Sequence, residues 1–203
     1  MAEFIYLASQ SPRRKQLLEQ LGVRHELLLP DLDEDAEALE AVKLHEAPAT
    51  YVKRVTRLKL DAAMARLKRR GLPAAPILCS DTTVALGRVI YGKPEDAKDA
   101  RRMLSELAGA THRVLTAVAV QGVGKAARRF EALSTSHVSF DAMTAVQIRA
   151  YVAGGEPMGK AGGYAVQGRA ARHITCINGS YSGIMGLPLR ETALLLNSAG
   201  IKI

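Results

Sequence analysis

Phe4-Ile5-Tyr6-Leu7-Ala8 reads as a short buried strand, and it runs almost directly into Ser11-Pro12. Ser11 is a good N-cap, Pro12 has its φ preset for a first helical turn, and Gly22 can end the helix. Leu17, Leu18 and Leu21 supply the apolar face. Strand feeding helix recurs along the chain. His25–Leu29 reads as a strand, and a long helix is expected from about Ala49, after Pro48, to Arg69. Ile77–Ser80 should be a buried strand ending at Asp81, and Thr83–Leu86 and Val89–Tyr91 flank a turn at Gly87-Arg88. Pro94 should open a helix carrying Ala97, Ala100, Met103, Leu104 and Leu107. Strands over Arg113–Val120 and about Phe130–Phe140 follow, then a helix capped by Thr144, a glycine-rich stretch from Gly154 to Gly168, and a last helix over Leu189–Ala199. Alternation of this kind gives an α/β chain with a mixed sheet. At 203 residues and 48% hydrophobic composition, the chain can bury a core without disulfides or a structural metal. With 4% aromatic residues and no Trp, that core must be built from Leu, Val, Ile, Ala and Met.

The net charge of +8 draws anions, whether nucleic acid, phosphorylated metabolites or an acidic membrane surface. Against it stands one acidic block over residues 31–46, with Asp31, Asp33, Glu34, Asp35, Glu37, Glu40 and Glu46. Most of these acids are expected on a solvated face. The long helix should be basic on its exposed side, through Lys53, Arg54, Arg57, Lys59, Arg66, Lys68, Arg69 and Arg70. Cys79 and Cys176 form no CxxC pair and are expected as buried free thiols. The N-terminus does not read as a secretory signal, and no run of ~18 apolar residues suggests a membrane span. A cytoplasmic location is therefore expected.

Chemistry could sit in three places. In the turn Ser9-Gln10-Ser11-Pro12-Arg13-Arg14-Lys15, three cations crowd the positive end of a helix, where they are unfavourable unless an anion sits opposite. N–H groups, serine hydroxyls and guanidinium forks would hold such an anion together. Asp81, expected at the carboxyl end of an apolar strand, could hold a divalent cation or take a proton from water, or could merely cap the bend before Thr82-Thr83. Lys93, in Gly92-Lys93-Pro94, stands ahead of a helix, with Glu95 and Asp96 partly accounting for it. Gly87 to Lys93 fits the start of a P-loop, but Pro94 supplies neither the hydroxyl nor the N–H that a P-loop needs there. The five histidines form no metal pattern, and no GxSxG or GxGxxG occurs. Nucleic-acid binding has the charge but lacks interleaved aromatics.

Four stretches in order resemble the Maf family of nucleoside-triphosphate pyrophosphatases, also called septum-formation-inhibitor-like proteins. They are Leu7-Ala8-Ser9-Gln10-Ser11-Pro12-Arg13-Arg14; Ser80-Asp81-Thr82-Thr83-Val84 with Gly92-Lys93-Pro94; Lys160-Ala161-Gly162-Gly163-Tyr164-Ala165-Val166-Gln167-Gly168; and Gly179-Ser180-Tyr181 with Gly186-Leu187-Pro188-Leu189. The resemblance covers nearly the whole chain, so it implies one domain over residues 1–203. It implies a mixed twisted sheet with flanking helices, in two lobes around a cleft, of the ITPase/Maf-like kind. The implied reaction is hydrolysis of a nucleoside triphosphate to the monophosphate and pyrophosphate with a divalent cation, Mg²⁺ or Mn²⁺.

By the same resemblance, Asp81 activates water, Ser9, Ser11, Arg13 and Arg14 lie on the phosphate-binding turn, and Lys59 and Lys93 match the family's site lysines. Glu34 matches an acidic site residue, so Asp81 and Glu34 are the implied metal ligands. The branch that the chain resembles acts on dTTP and UTP, with specificity positions at Arg13, Thr82 and Gln167. The Gln167 amide offers a donor and an acceptor to the N3–H and carbonyl edge shared by uracil and thymine. A 7-methyl-GTP-type pyrophosphatase, or a nucleotide-binding regulator of cell division without turnover, are the alternatives. The expected partner is the nucleoside triphosphate, with no nucleic acid and no membrane; a homodimer is compatible with the resemblance. Thr56 and Leu60 stand where alanines are usual around Lys59, and Cys79-Ser80 where Gly-Ala is common, but no charged site residue is altered.

Overall fold

The structure, a computed structural model, describes residues 3–31, 34–35, 38–124 and 127–203. Asp33 and Glu37 of the acidic block lie outside the described residues. Strands β1 (Ile5–Leu7), β2 (His25–Leu27), β3 (Ile77–Leu86), β4 (Val89–Tyr91), β5 (Thr111–Gln121), β6 (Arg129–Phe140) and β7 (Ile174–Asn178) form one seven-stranded sheet. Helices are α1 (Pro12–Gln20), α2 (Pro48–Arg69), α3 (Ala97–Leu107), α4 (Ala145–Ala153), α5 (Tyr181–Met185) and α6 (Leu189–Ser198). The sheet order is β2-β1-β3-β5-β6-β7. β2, β1 and β3 are parallel; the remaining pairs, including β3 with β4, are antiparallel.

Alternation along the strands sorts the core into two faces. Ile5, Leu7, Leu78, Val118 and Val120 pack on Leu17 and Leu18 of α1 and Leu196 of α6. Tyr6, Ile77, Cys79 and Ala119 point the other way, onto Leu60 and Ala63 of α2. At the far end of β3, Val84, Val114, Val138 and Phe140 join α3 and α4 in a separate cluster through Leu104, Leu107, Ile148 and Tyr151. Two helical groups thus share one long strand and leave a gap between them.

Several local expectations are corrected by packing. β3 does not stop at Asp81 but continues to Leu86, because β5 pairs with it from Ile77↔Gln121 to Ala85↔Arg113. α3 starts after Asp96, whose carboxylate accepts from the Asp99 N–H at 2.7 Å, rather than at Pro94. Thr144 does cap α4, through a reciprocal capping box with Gln147. β7 and α5 carry no sequence signal strong enough to have been expected. Cys79 is buried but Cys176 is exposed, on the edge strand β7.

The acidic block and the basic helix α2 neutralise each other in reverse order. Glu46 pairs with Arg54, Glu40 with Lys59, Glu34 with Arg66 and Arg69, and Asp31 with Arg69 and Arg70. Neither side is therefore a simple solvated face. Arg66, expected to be exposed, is buried, and also donates to the Leu28 carbonyl at 2.9 Å.

Candidate active site

The cleft opens along one edge of β3. On that edge β1 pairs only through Tyr6↔Ile77 and Leu7↔Leu78, and β4 only from Val84↔Tyr91 onward. Between them, the stretch from Cys79 to Thr83 has no strand beside it on this side among the described residues. The result is a cavity of about 700 Å³. It is bordered by the Ser9–Arg14 turn, by Glu34 and Glu40, by Lys59, by Asp81 and Thr82, by Lys93, and by the loop from Gly159 to Gln167. All ten residues singled out in the sequence line this one cavity: Ser9, Ser11, Arg13, Arg14, Glu34, Lys59, Asp81, Thr82, Lys93 and Gln167.

Asp81 shares its strand face with Ile77 and Cys79, so its carboxylate meets α2. There the Lys59 ammonium donates to Asp81 Oδ1 at 2.6 Å and to Glu40 Oε1 at 2.7 Å. Lys93 reaches Glu40 at 3.4 Å. Burial alone would raise the Glu40 carboxyl, but Lys59 and Lys93 outweigh it and hold it below its ordinary value. In the sequence Glu40 is one acid among several expected on a solvated face. Only the long-range approach to Lys59 marks it out.

Glu34 lies at the rim with both oxygens occupied. Arg66 Nε donates to Oε1 at 3.0 Å, another Arg66 nitrogen donates to Oε2, and Arg69 also donates. Hydrogen bonds from Arg66 and Arg69 push its carboxyl down to about 2 against the opposing effect of burial.

The two arginines differ. Arg14 donates through Nε to the Gly186 carbonyl at 2.9 Å, and through its terminal nitrogens to Ser9 Oγ at 3.3 Å and Thr82 Oγ1 at 3.4 Å. Thr116 Oγ1 gives its proton to the Gly183 carbonyl at 2.7 Å, so the Thr82 hydroxyl donates to Thr116 at 2.9 Å and is left to accept from Arg14. Gly186, at φ 118°, caps α5 in a conformation that a side chain resists, and an added Cβ would lie 3.3 Å from Arg14 Nε. Arg13 makes no hydrogen bond or ion pair among the described residues. Burial holds it below its ordinary value, and Lys160 across the cleft is lowered first by burial and then by the charge of Arg13. Two cations lining one cleft call for an anion. In the sequence Lys160 stands within the glycine-rich stretch, where nothing local marks it as a site residue.

The loop bearing Lys160 and Gln167 is tied down at both ends of its tight turn. Gly162, at φ 68°, donates its N–H to the Gly92 carbonyl at 2.9 Å and comes so close to Val84 that a Cβ would meet it at 2.9 Å. Tyr164 buries its ring against Phe140 and His112 and bonds His112 Nε2 at 2.7 Å. Gln167 itself is exposed at the mouth. No group of three or more His, Cys, Asp or Glu is arranged as a closed metal cage among the described residues. Two carboxylates sharing one ammonium are hard oxygen donors in the number that Mg²⁺ or Mn²⁺ takes when phosphates and water complete its sphere, so the residues fit such an ion.

A family model for Maf-like protein matches residues 4–199. The chain is 71% identical over 203 residues, the full length of both, to a protein of Albidiferax ferrireducens named dTTP/UTP pyrophosphatase. Proteins of the same name from Polaromonas sp. and Cupriavidus metallidurans are 70% and 61% identical, over 100% and 99% of this chain and 98% and 99% of their own. Among solved structures, a HAM1 protein from Coxiella burnetii is 13% identical over 68% of this chain and 73% of its own, with a TM-score of 0.43. The match over nearly every residue and the high identity to full-length relatives settle the family: the chain belongs to the Maf-like proteins.

Proposed function

We propose that the protein hydrolyses dTTP and UTP to the nucleoside monophosphate and pyrophosphate. One observation carries the reading: a single cleft gathers Arg13, Lys59, Lys93 and Lys160 around the buried carboxylate Asp81. A triphosphate matches that charge, and the names of the full-length relatives supply the nucleotide.

Asp81 accepts a proton from a water as the water oxygen bonds to the α-phosphorus. The bond from the α-phosphorus to the bridging oxygen breaks, and pyrophosphate leaves with the electron pair. Arg13, Lys59 and Lys93 neutralise the charge that develops on the phosphate oxygens, which is where most of the rate in phosphoryl chemistry originates. Arg14 holds Ser9, Thr82 and Gly186 in place behind the phosphates. Gln167 turns its amide to the pyrimidine edge at the mouth. A divalent cation bound through Asp81 would draw off phosphate charge and lower the pKa of a bound water. Glu34, implied as a second ligand by the family resemblance, would have to leave Arg66 to serve there.

Pyrophosphate release from UTP, dTTP, CTP, GTP and 7-methyl-GTP, with Mg²⁺ and with Mn²⁺, tests the reading. Turnover of UTP and dTTP is expected, with Asp81→Asn slower by ~10²-fold or more at unchanged melting temperature. A folded Asp81→Asn protein with the parental rate refutes the role of Asp81. A preference for 7-methyl-GTP moves the chain to the other branch, and absence of turnover with every nucleotide leaves only the regulator.

A further inference from the structure

We infer that Glu40, and not Glu34, is the second carboxylate of the catalytic centre and faces the divalent cation opposite Asp81. The inference rests on reading the cleft as a cation-assisted nucleotide site, and it assigns that site a ligand which the sequence resemblance places elsewhere.

Position comes first. Glu40 and Asp81 each bond the same Lys59 nitrogen, at 2.7 and 2.6 Å, so their oxygens flank one point that already holds a positive charge. A cation arriving there with a triphosphate replaces one positive charge between two carboxylates by another. Lys59 and Lys93, the two lysines that now hold Glu40, are the cations that the phosphates attract in turn.

Support for the turn comes second. Glu40 ends a single 3₁₀ turn, Ala38–Glu40, which in isolation would fray. Here Tyr51 of α2 donates its hydroxyl to the Glu40 carbonyl at 2.9 Å. Arg54 donates to the Ala41 carbonyl at 2.8 Å while its fork grips Glu46. A carboxylate anchored in this way from a rigid helix is preorganised rather than loosely tethered.

The alternative is the more costly one. Releasing Glu34 would strand the guanidinium of Arg66, which is 4% exposed and would keep, among the described residues, only the Leu28 carbonyl. Removing one partner of a buried pair is strongly unfavourable. Glu40 gives up only lysines that gain phosphate oxygens.

The test measures metal binding without turnover. Mn²⁺ is titrated into the protein with a UTP analogue bearing nitrogen between the α- and β-phosphorus, and free Mn²⁺ is read by electron paramagnetic resonance. Glu40→Gln should weaken Mn²⁺ binding by ~10-fold or more, the least expected from losing a direct ligand, with Glu40→Asp between it and the parent. Glu34→Gln should bind Mn²⁺ as the parent does but melt at a lower temperature. Loss of Mn²⁺ binding in Glu34→Gln with parental binding in Glu40→Gln overturns the inference. Equal binding in all three proteins also overturns it, and leaves the proposed reaction standing if the parent still releases pyrophosphate. A parent that binds Mn²⁺ through Glu40 yet releases no pyrophosphate from any nucleotide overturns the reaction instead.

Discussion

The guanidinium of Arg66, a buried residue of α2, closes a two-pronged ion pair on the Glu34 carboxylate and joins the rim of the cleft to the helix that also carries Lys59. The Glu34 carboxyl is held at about 2 against an ordinary 4.5, chiefly by Arg66. A depressed carboxyl contributes stability that is complete above its unfolded value and fades as pH falls from about 4.5 toward 2. Glu34→Gln should therefore cost about 1–3 kcal/mol at neutral pH, a drop of several degrees in melting temperature. The variant should lose less than the parent when scanning calorimetry is repeated at pH 3. An equal loss in both would show that the pair contributes nothing.

His112 gives a second, separate pH window. Burial holds its imidazole down to about 4 from an ordinary 6.5, with Nε2 on the Tyr164 hydroxyl and Nδ1 without a partner among the described residues. The folded protein keeps the ring neutral while the unfolded chain protonates it. The stability this provides is complete above about 6.5 and is lost as pH falls toward 4. Urea unfolding should show a loss of roughly 2 kcal/mol between pH 7 and pH 5, and His112→Gln should remove most of that dependence. A parent whose stability is flat over this range contradicts the assignment.

Arg13 and Arg14 should separate cleanly when each is changed to Ala. Arg13 bonds nothing among the described residues, so its loss should raise KM for UTP by ~10-fold or more and leave the melting temperature unchanged. Arg14 holds Gly186, Ser9 and Thr82 from a half-buried position, so its loss should lower the melting temperature as well as the activity. Arg14→Lys should not rescue it, because an ammonium cannot reproduce the fork.

Lys59→Met should change the pH profile as well as the rate. With the ammonium gone, Asp81 and Glu40 lose the charge they share, and burial then raises the Glu40 carboxyl against Lys93 alone. The acidic limb of kcat/KM should move to higher pH. A lower rate with an unmoved limb would mean that Lys59 acts only on the phosphates.

Gln167 stands at the mouth of the cleft, where base contact is expected. Gln167→Ala should narrow the preference for UTP over CTP by ~10-fold, measured as kcat/KM, with little change in stability because the side chain is exposed.

What the sequence alone determined was local. The strand Ile5–Leu7 feeding Pro12–Gln20, the hairpin at Gly87-Arg88 and the Thr144 cap follow from apolar periodicity and capping chemistry, which act over a few residues. The candidate anion-binding turn was legible for the same reason, since three cations at a helix start are unfavourable without an anion. Tertiary structure decided what depended on distant partners. β5 carried β3 past Asp81; β1 and β4, ending early, left the edge open; and the acidic block folded back along α2 in reverse order. Glu40, nineteen residues from Lys59 and on another element, differs in the sequence from its acidic neighbours in nothing, because the charge of a carboxylate acquires its role only from what packs against it.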